Sequence, residues 1–202
     1  MSISTEIQQH IEKFPREKPF LSSKLFKYGS RTAVDKTLSR LASTGKIVRI
    51  ARGIYARPGK NRYVGQVLPG AFEIAKTIAA KTNSIVQVHG AEAARQFGFT
   101  TQVPAQPIFY TTGQSRELKL GNLKIAFKHI SPRKLALAES RVGLAILALW
   151  YLGKKQVTPQ SIEAIEKKLS EEKFEKFKSS TKYMPYWMIE IISQYEKAKS
   201  HG

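Results

Sequence analysis

Three groups of side chains in this 202-residue chain are of types that could do chemistry, and each falls short of a complete reaction set. Glu117-Leu118-Lys119 matches the end of a Glu-x-Lys nuclease pattern, in which carboxylates hold Mg²⁺ beside a phosphodiester. That pattern needs an acidic partner upstream, usually aspartate. The chain has a single aspartate, Asp35, and its fourteen glutamates are scattered. His89 precedes a predicted helix and His129 ends a predicted strand, neither at metal-ligand spacing, so both read as structural histidines. Thr111-Thr112-Gly113-Gln114-Ser115 has hydroxyls that could hold an anion, but it reads as a plain loop. With no cysteine, thiol catalysis, disulfides and cysteine-ligated zinc are excluded. Neither a Gly-rich phosphate loop nor a Ser-x-x-Lys or Gly-x-Ser-x-Gly nucleophile is present. The sequence therefore predicts a binding protein, not an enzyme, with no cofactor and no metal.

What the chain has in abundance is positive charge. Thirty-four Lys and Arg stand against fifteen Asp and Glu, a net charge of +19, which argues for a polyanionic partner and nucleic acid first. Residues 1–67 hold 14 basic and 4 acidic side chains (net +10), clustered between Arg16 and Arg62. The last third is charge-rich but mixed, as in Glu171-Glu172-Lys173-Phe174-Glu175-Lys176, the pattern of solvated helix faces. The longest apolar run, Val142 to Leu152, is well short of the roughly 18 to 20 residues a membrane span needs. Met1-Ser2-Ile3-Ser4-Thr5-Glu6 lacks the pattern of a secretory signal, so a cytoplasmic protein without a membrane partner is expected.

The elements that must position those charges can be read from spacing. Ile7, Ile11 and Phe14 lie on one face of a helix from Ser4 to Phe14, capped by Ser4 or Thr5 and ended by Pro15. Ser22 can cap a short second helix that carries Leu25 and Phe26 inward. After Gly29, Ser30 caps a third helix, Arg31 to Ser43, whose apolar stripe is Val34, Leu38 and Leu41 and whose stop is Gly45. Two β-branched stretches then flank Ala51-Arg52-Gly53 as a tight hairpin. Helix, short helix, turn, helix and basic hairpin make the order of a winged helix-turn-helix, whose third helix enters a major groove.

Burying the stripe leaves Ser30, Arg31, Thr32, Asp35, Lys36, Ser39 and Arg40 as the outward, DNA-contacting face. Arg49, Arg52 and Arg57 on the hairpin, with Lys60 and Arg62 just after, would meet the flanking backbone or minor groove. Asp35 either reads a cytosine amino group or contacts Arg31 or Ser39. Tyr55 and Phe20 read as core. The same small domain could instead be a protein-interaction module.

Pro58-Gly59-Lys60-Asn61-Arg62 through Leu68-Pro69-Gly70 reads as a basic linker, which gives domains 1–67 and 68–202. Beyond it, helices are expected over 69–82 and Ala91 to Phe97. Strands are expected over Ser84 to Val88, Pro107 to Thr112, Arg116 to Leu120 and Leu123 to His129, the last two joined at Gly121-Asn122. Residues 132–202 read as mostly helical. The whole is α+β: a winged helix followed by a mixed domain with a small sheet and a helical C-terminal part. Tyr183-Met184-Pro185-Tyr186-Trp187-Met188 opens the last helix as core or as a partner surface.

The stretch Gly45-Lys46-Ile47-Val48-Arg49-Ile50-Ala51-Arg52-Gly53-Ile54-Tyr55-Ala56-Arg57-Pro58 resembles the wing signature of AbiEi-type antitoxins of bacterial type IV (abortive infection) toxin–antitoxin systems. Ala33 to Leu41 is also similar, as are the alanine-rich segment His89 to Pro104 and the strand Ile108-Phe109-Tyr110-Thr111-Thr112. The likeness spans roughly residues 1–130 and does not extend into the tail. It implies a repressor of its own operon that binds operator repeats in double-stranded DNA; a homodimer on that DNA is an open reading. It further implies that the second domain counteracts a nucleotidyltransferase-like toxin, a role that does not require direct contact. Two other classes remain open on the residues alone: an RNA- or ribosome-associated basic protein, and an adaptor using the winged helix against protein.

Overall fold

The computed structural model describes residues 2–63 and 65–200. Contacts divide the chain into two compact units, Met1–Ser84 with Leu118–Lys124, and Ile85–Glu117 with Ile125–Gly202. The architecture is α+β.

In the first unit, α1 (Ile3–Glu12) starts earlier than its apolar spacing suggests, because the Ser2 side chain accepts from the Thr5 amide and caps it. β1 (Pro19–Leu21) follows, then a 3-10 turn over Ser22–Tyr28 in place of a short α-helix. That turn buries Leu25 but leaves Phe26 39% exposed, so only one of the two residues points inward. Ser30 accepts from the Ala33 amide at 3.3 Å and starts α2 (Arg31–Ser43), which buries Val34, Thr37, Leu38 and Leu41. Gly45, at φ 71°, ends it in the left-handed conformation that favours glycine. β2 (Val48–Ala51) and β3 (Ile54–Ala56) form the expected hairpin, with a register irregularity between Arg49 and Ala51. β1 adds antiparallel to β3 and completes a sheet of order β1-β3-β2. Ile7, Leu25, Val34, Leu38 and Ile47 form the centre of this unit's core.

The segment that reads as a linker is an antiparallel hairpin of β4 (Gly59–Asn61) and β5 (Gly65–Val67). Asn61 Oδ1 accepts from the Tyr63 amide at 2.8 Å and Gly65 is left-handed, so local turn chemistry closes the loop. α3 (Ala71–Lys81) buries Ile74, Ala75, Ile78 and Ala79 and packs against β1. The first compact unit thus runs to Ser84, where sequence composition places the junction at 67/68.

In the second unit, β6 (Val86–Val88) leads to α4 (Gly90–Gln96), which His89 caps by accepting from the Ala91 amide at Nδ1. β7 (Ile108–Thr111), β8 (Arg116–Leu120) and β9 (Leu123–His129) complete a sheet of order β6-β7-β9-β8, of which Leu118–Lys124 is grouped with the first unit. β6 pairs antiparallel with β7, and β7 pairs parallel with β9. Four helices follow: α5 (Arg141–Leu152), α6 (Pro159–Glu166), α7 (Glu171–Ser179) and α8 (Tyr186–Ser200). α5 packs against α4 and α7, while α6 packs against α8. Phe97, Ala145, Leu149, Ile162, Phe177 and Met188 are central to this core. The aromatic entry to α8 divides: Met184 and Met188 are buried, whereas Tyr186 is 79% exposed. No helix among the described residues is long and apolar enough to cross a membrane.

Candidate nucleic-acid interface

The spacing of α2 decides which side chains can face a partner. With Val34, Leu38 and Leu41 buried, Arg31, Asp35 and Ser39 are left exposed along the opposite stripe. β2 and the following turn bring Arg49 and Arg52 beside them. Together these five residues line a shallow depression of about 370 Å³, whose lining also includes Ser23, Phe26, Tyr55 and Lys81. Four cations (Arg31, Arg49, Arg52 and Lys81) therefore share one face with a single carboxylate.

That carboxylate is already engaged. Arg31 Nε lies 3.8 Å from Asp35 Oδ2, an i,i+4 pair with side chains 70% and 52% exposed. An exposed pair of this kind is worth a few tenths of a kcal/mol to the helix, roughly, so Arg31 can leave it for a stronger acceptor. Of the two readings of Asp35, the structure has the intrahelical contact. Tyr55 forms part of the floor: it is buried, lies opposite Arg49 in the hairpin and stacks on Phe20 with ring centroids 6.2 Å apart. Burial pushes its phenol above the usual range, opposed by Arg49 and reinforced by Asp35.

The other candidates lie elsewhere. Ser30 uses its hydroxyl as the α2 cap; Thr32 and Lys36 are exposed on the helix without lining the depression. Arg40 donates to Ser4 Oγ on α1. Arg57 serves the fold, since its Nη1 donates to the carbonyls of Glu12 and Phe14, the latter at 2.7 Å. Those carbonyls close the C-terminal end of α1, where backbone acceptors lack intrahelical partners. Lys60 sits on β4 beside a second, larger cleft of about 630 Å³ lined also by Arg16, Lys46 and Arg57. Arg62 is exposed, with its guanidinium 6.0 Å from the Tyr63 ring centroid.

Lys81 is a cation on this face that sequence spacing does not mark. It lies on α3, and its Nζ donates to the carbonyl of Arg52 at the hairpin turn. Nothing local signals this; it follows from α3 folding back on the first unit. The turn is held from a second side, because the Ser22 amide donates to the Gly53 carbonyl at 3.0 Å. Gly53 takes φ 71°, and a side chain there would meet Ser22 Oγ and Lys81 Nζ, both 3.2 Å from an added Cβ.

The two histidines singled out above make structural contacts. His89 Nδ1 is the α4 cap acceptor, and its ring packs 4.5 Å from that of Tyr110. His129 Nδ1 is hydrogen-bonded to the Gly113 carbonyl at 2.9 Å. Among the described residues, no group of three or more acidic or histidine side chains is arranged to hold a metal ion.

A family model described as a family of unknown function (DUF6088) matches residues 6–177, and the chain belongs to that family. No curated protein matches the chain. The crystal structure of the RV2827C protein from Mycobacterium tuberculosis is similar over 88% of this chain and 71% of that one. The identity is 12% and the TM-score 0.42.

Proposed function

We propose that this member of the DUF6088 family is a cytoplasmic, double-stranded-DNA-binding transcriptional repressor. We further propose that it acts as the antitoxin of a type IV toxin–antitoxin pair, as the resemblance of its wing motif implies. The observation that carries DNA binding is the convergence of α2's exposed residues with the hairpin arginines over one depression. In this reading the first unit is a winged helix: Arg31 and its neighbours at the start of α2 meet base edges in a major groove. Arg49, Arg52 and Lys81 neutralise flanking phosphates, so binding is steeply salt-dependent. The operator is a pair of repeats read by two copies of the chain. The second unit counteracts a nucleotidyltransferase-like toxin, with no requirement for direct contact.

The test is a binding titration over a salt series, using duplex DNA from upstream of the gene, a scrambled duplex and a structured RNA. With Arg49, Arg52 and Lys81 on phosphates, log K falls against log salt with a slope of about −2.7, that is, about 0.9 for each phosphate neutralised. The upstream duplex keeps its advantage over the scrambled one at high salt. Equal affinity for both duplexes, or tighter binding of the RNA, overturns the assignment. The antitoxin role is tested by growth: co-expression with the product of the adjacent gene restores colony formation, and failure to do so removes that part of the proposal.

A further inference from the structure

We infer that the β4–β5 hairpin is a second wing that meets a flanking minor groove of duplex DNA, with Tyr63 as the side chain that enters the groove. The inference rests on the reading of the first unit as a duplex-binding module.

The β2–β3 turn is pinned. Ser22 and Lys81 hold its Gly53 and Arg52 carbonyls, so this hairpin lies against its own unit and offers cations without reaching outward. The β4–β5 hairpin differs. Every described residue from Lys60 to Gln66 is exposed. Tyr63 is 88% exposed, more than any other large apolar side chain described. A lone exposed tyrosine needs no explanation by itself. This one lies between the two strands of the hairpin, its amide donating to Asn61 Oδ1, two residues before left-handed Gly65. It is flanked by Lys60 and Arg62, and residues 58–70 contain no acidic residue. The Glu17 carboxylate lies against Gly59, at the base of the hairpin and away from its tip.

Position selects the groove. The base of the hairpin shares a cleft with Thr44, Gly45 and Lys46, just past the C-terminal end of α2. Arg31 opens the same helix thirteen residues earlier, about 20 Å along its axis at 1.5 Å per residue. The major groove is about 12 Å wide, so with Arg31 in that groove and α2 running across it, the hairpin comes to the next groove or its bordering backbone. An aromatic ring with an adjacent guanidinium suits that location. The ring can wedge against a base step while the cation sits in the negative potential of a narrow minor groove.

The experiment uses the full chain and the upstream duplex, with affinity from fluorescence anisotropy and contacts from hydroxyl-radical footprinting, which reports on the minor groove. Tyr63→Ala is expected to weaken binding roughly five- to hundred-fold, the range for losing one base–aromatic contact. It also removes protection on one flank only, with unchanged melting. Tyr63→Phe retains both affinity and flank protection. Wild-type affinity and footprint for Tyr63→Ala, alongside clear weakening by Arg31→Ala, overturn the second wing and leave the duplex-binding reading standing. Absence of duplex binding by the wild-type chain overturns both.

Discussion

Two arginines eight residues apart, Arg49 and Arg57, are equivalent by composition and opposite in what their loss should do. Arg57 Nη1 donates to the Glu12 and Phe14 carbonyls at the end of α1 and also places a cation at a helix C-terminus. Its side chain is half-buried, so each charge-assisted bond is discounted below its usual range, to about 1 kcal/mol. Together they contribute about 2 kcal/mol. For a unit of this size about 1 kcal/mol corresponds to roughly 4–8 °C, so Arg57→Ala should lower the melting temperature of the first unit by roughly 8–16 °C. Arg49 is exposed, and Arg49→Ala should stay within about 0.5 kcal/mol of wild type in stability. In a duplex titration the order reverses: Arg49→Ala makes the salt slope shallower by about 0.9, while Arg57→Ala leaves it unchanged below its melting temperature. Calorimetry and anisotropy on the same preparations check both halves, with the two units scored separately if they melt apart. A shallower slope with unchanged melting for Arg57→Ala would return that residue to the interface and refute the assignment of its guanidinium to α1.

Three further outcomes are expected. Gly143→Ala on α5 would put a Cβ 2.0 Å from the Leu137 carbonyl oxygen, a backbone atom; the clash should exceed the gain in helix propensity and cost about 1–2 kcal/mol by urea denaturation. His89 has its pKa lowered from 6.5 by burial and by Lys128, so the unfolded chain binds the proton more readily. The resulting stability is fully present above about pH 6.5 and is lost as pH falls through the lower folded value; His89→Asn keeps a capping side chain and should flatten this dependence in denaturation midpoints measured from pH 5 to 8. Leu38→Ala, at a fully buried position in the core that also holds Ile7 and Leu25, should cost about 2–5 kcal/mol in melting experiments and weaken duplex binding with it, since α2 is then less populated in its docked form.

α2 was legible because its information is local: a serine cap, a 3.6-residue apolar stripe and a glycine stop all agree within Ser30 to Gly45. The exposed stripe of Arg31, Asp35 and Ser39 followed from it. β1 was not legible. It is three residues headed by a proline, and it exists because β3, more than thirty residues later, supplies its hydrogen bonds. The parallel pairing of β7 with β9 across the intervening β8 is non-local in the same way. The β4–β5 hairpin is a different case. Asn61 and Gly65 are turn residues at the correct separation, but Pro58-Gly59 and Pro69-Gly70 at either end give the segment the composition of a linker.

The candidate face divides along the same line. Charge identity is a property of sequence, but what a guanidinium does depends on which acceptors the fold places within reach. Arg40 finds Ser4, Arg57 finds two helix-end carbonyls, and Arg31 finds a weak, exposed carboxylate one turn away. The last of these engagements is easily exchanged for a phosphate or a base edge, because breaking it leaves no buried group unpaired. Lys81 adds the converse lesson. Its ammonium holds the Arg52 carbonyl, yet the residue remains exposed, so one cation can fix the hairpin turn and still present positive charge to a partner. The basic cluster between Arg16 and Arg62 is thus two populations: cations that close the first unit and cations that face outward. The size of any salt-dependent affinity is set by the second population alone.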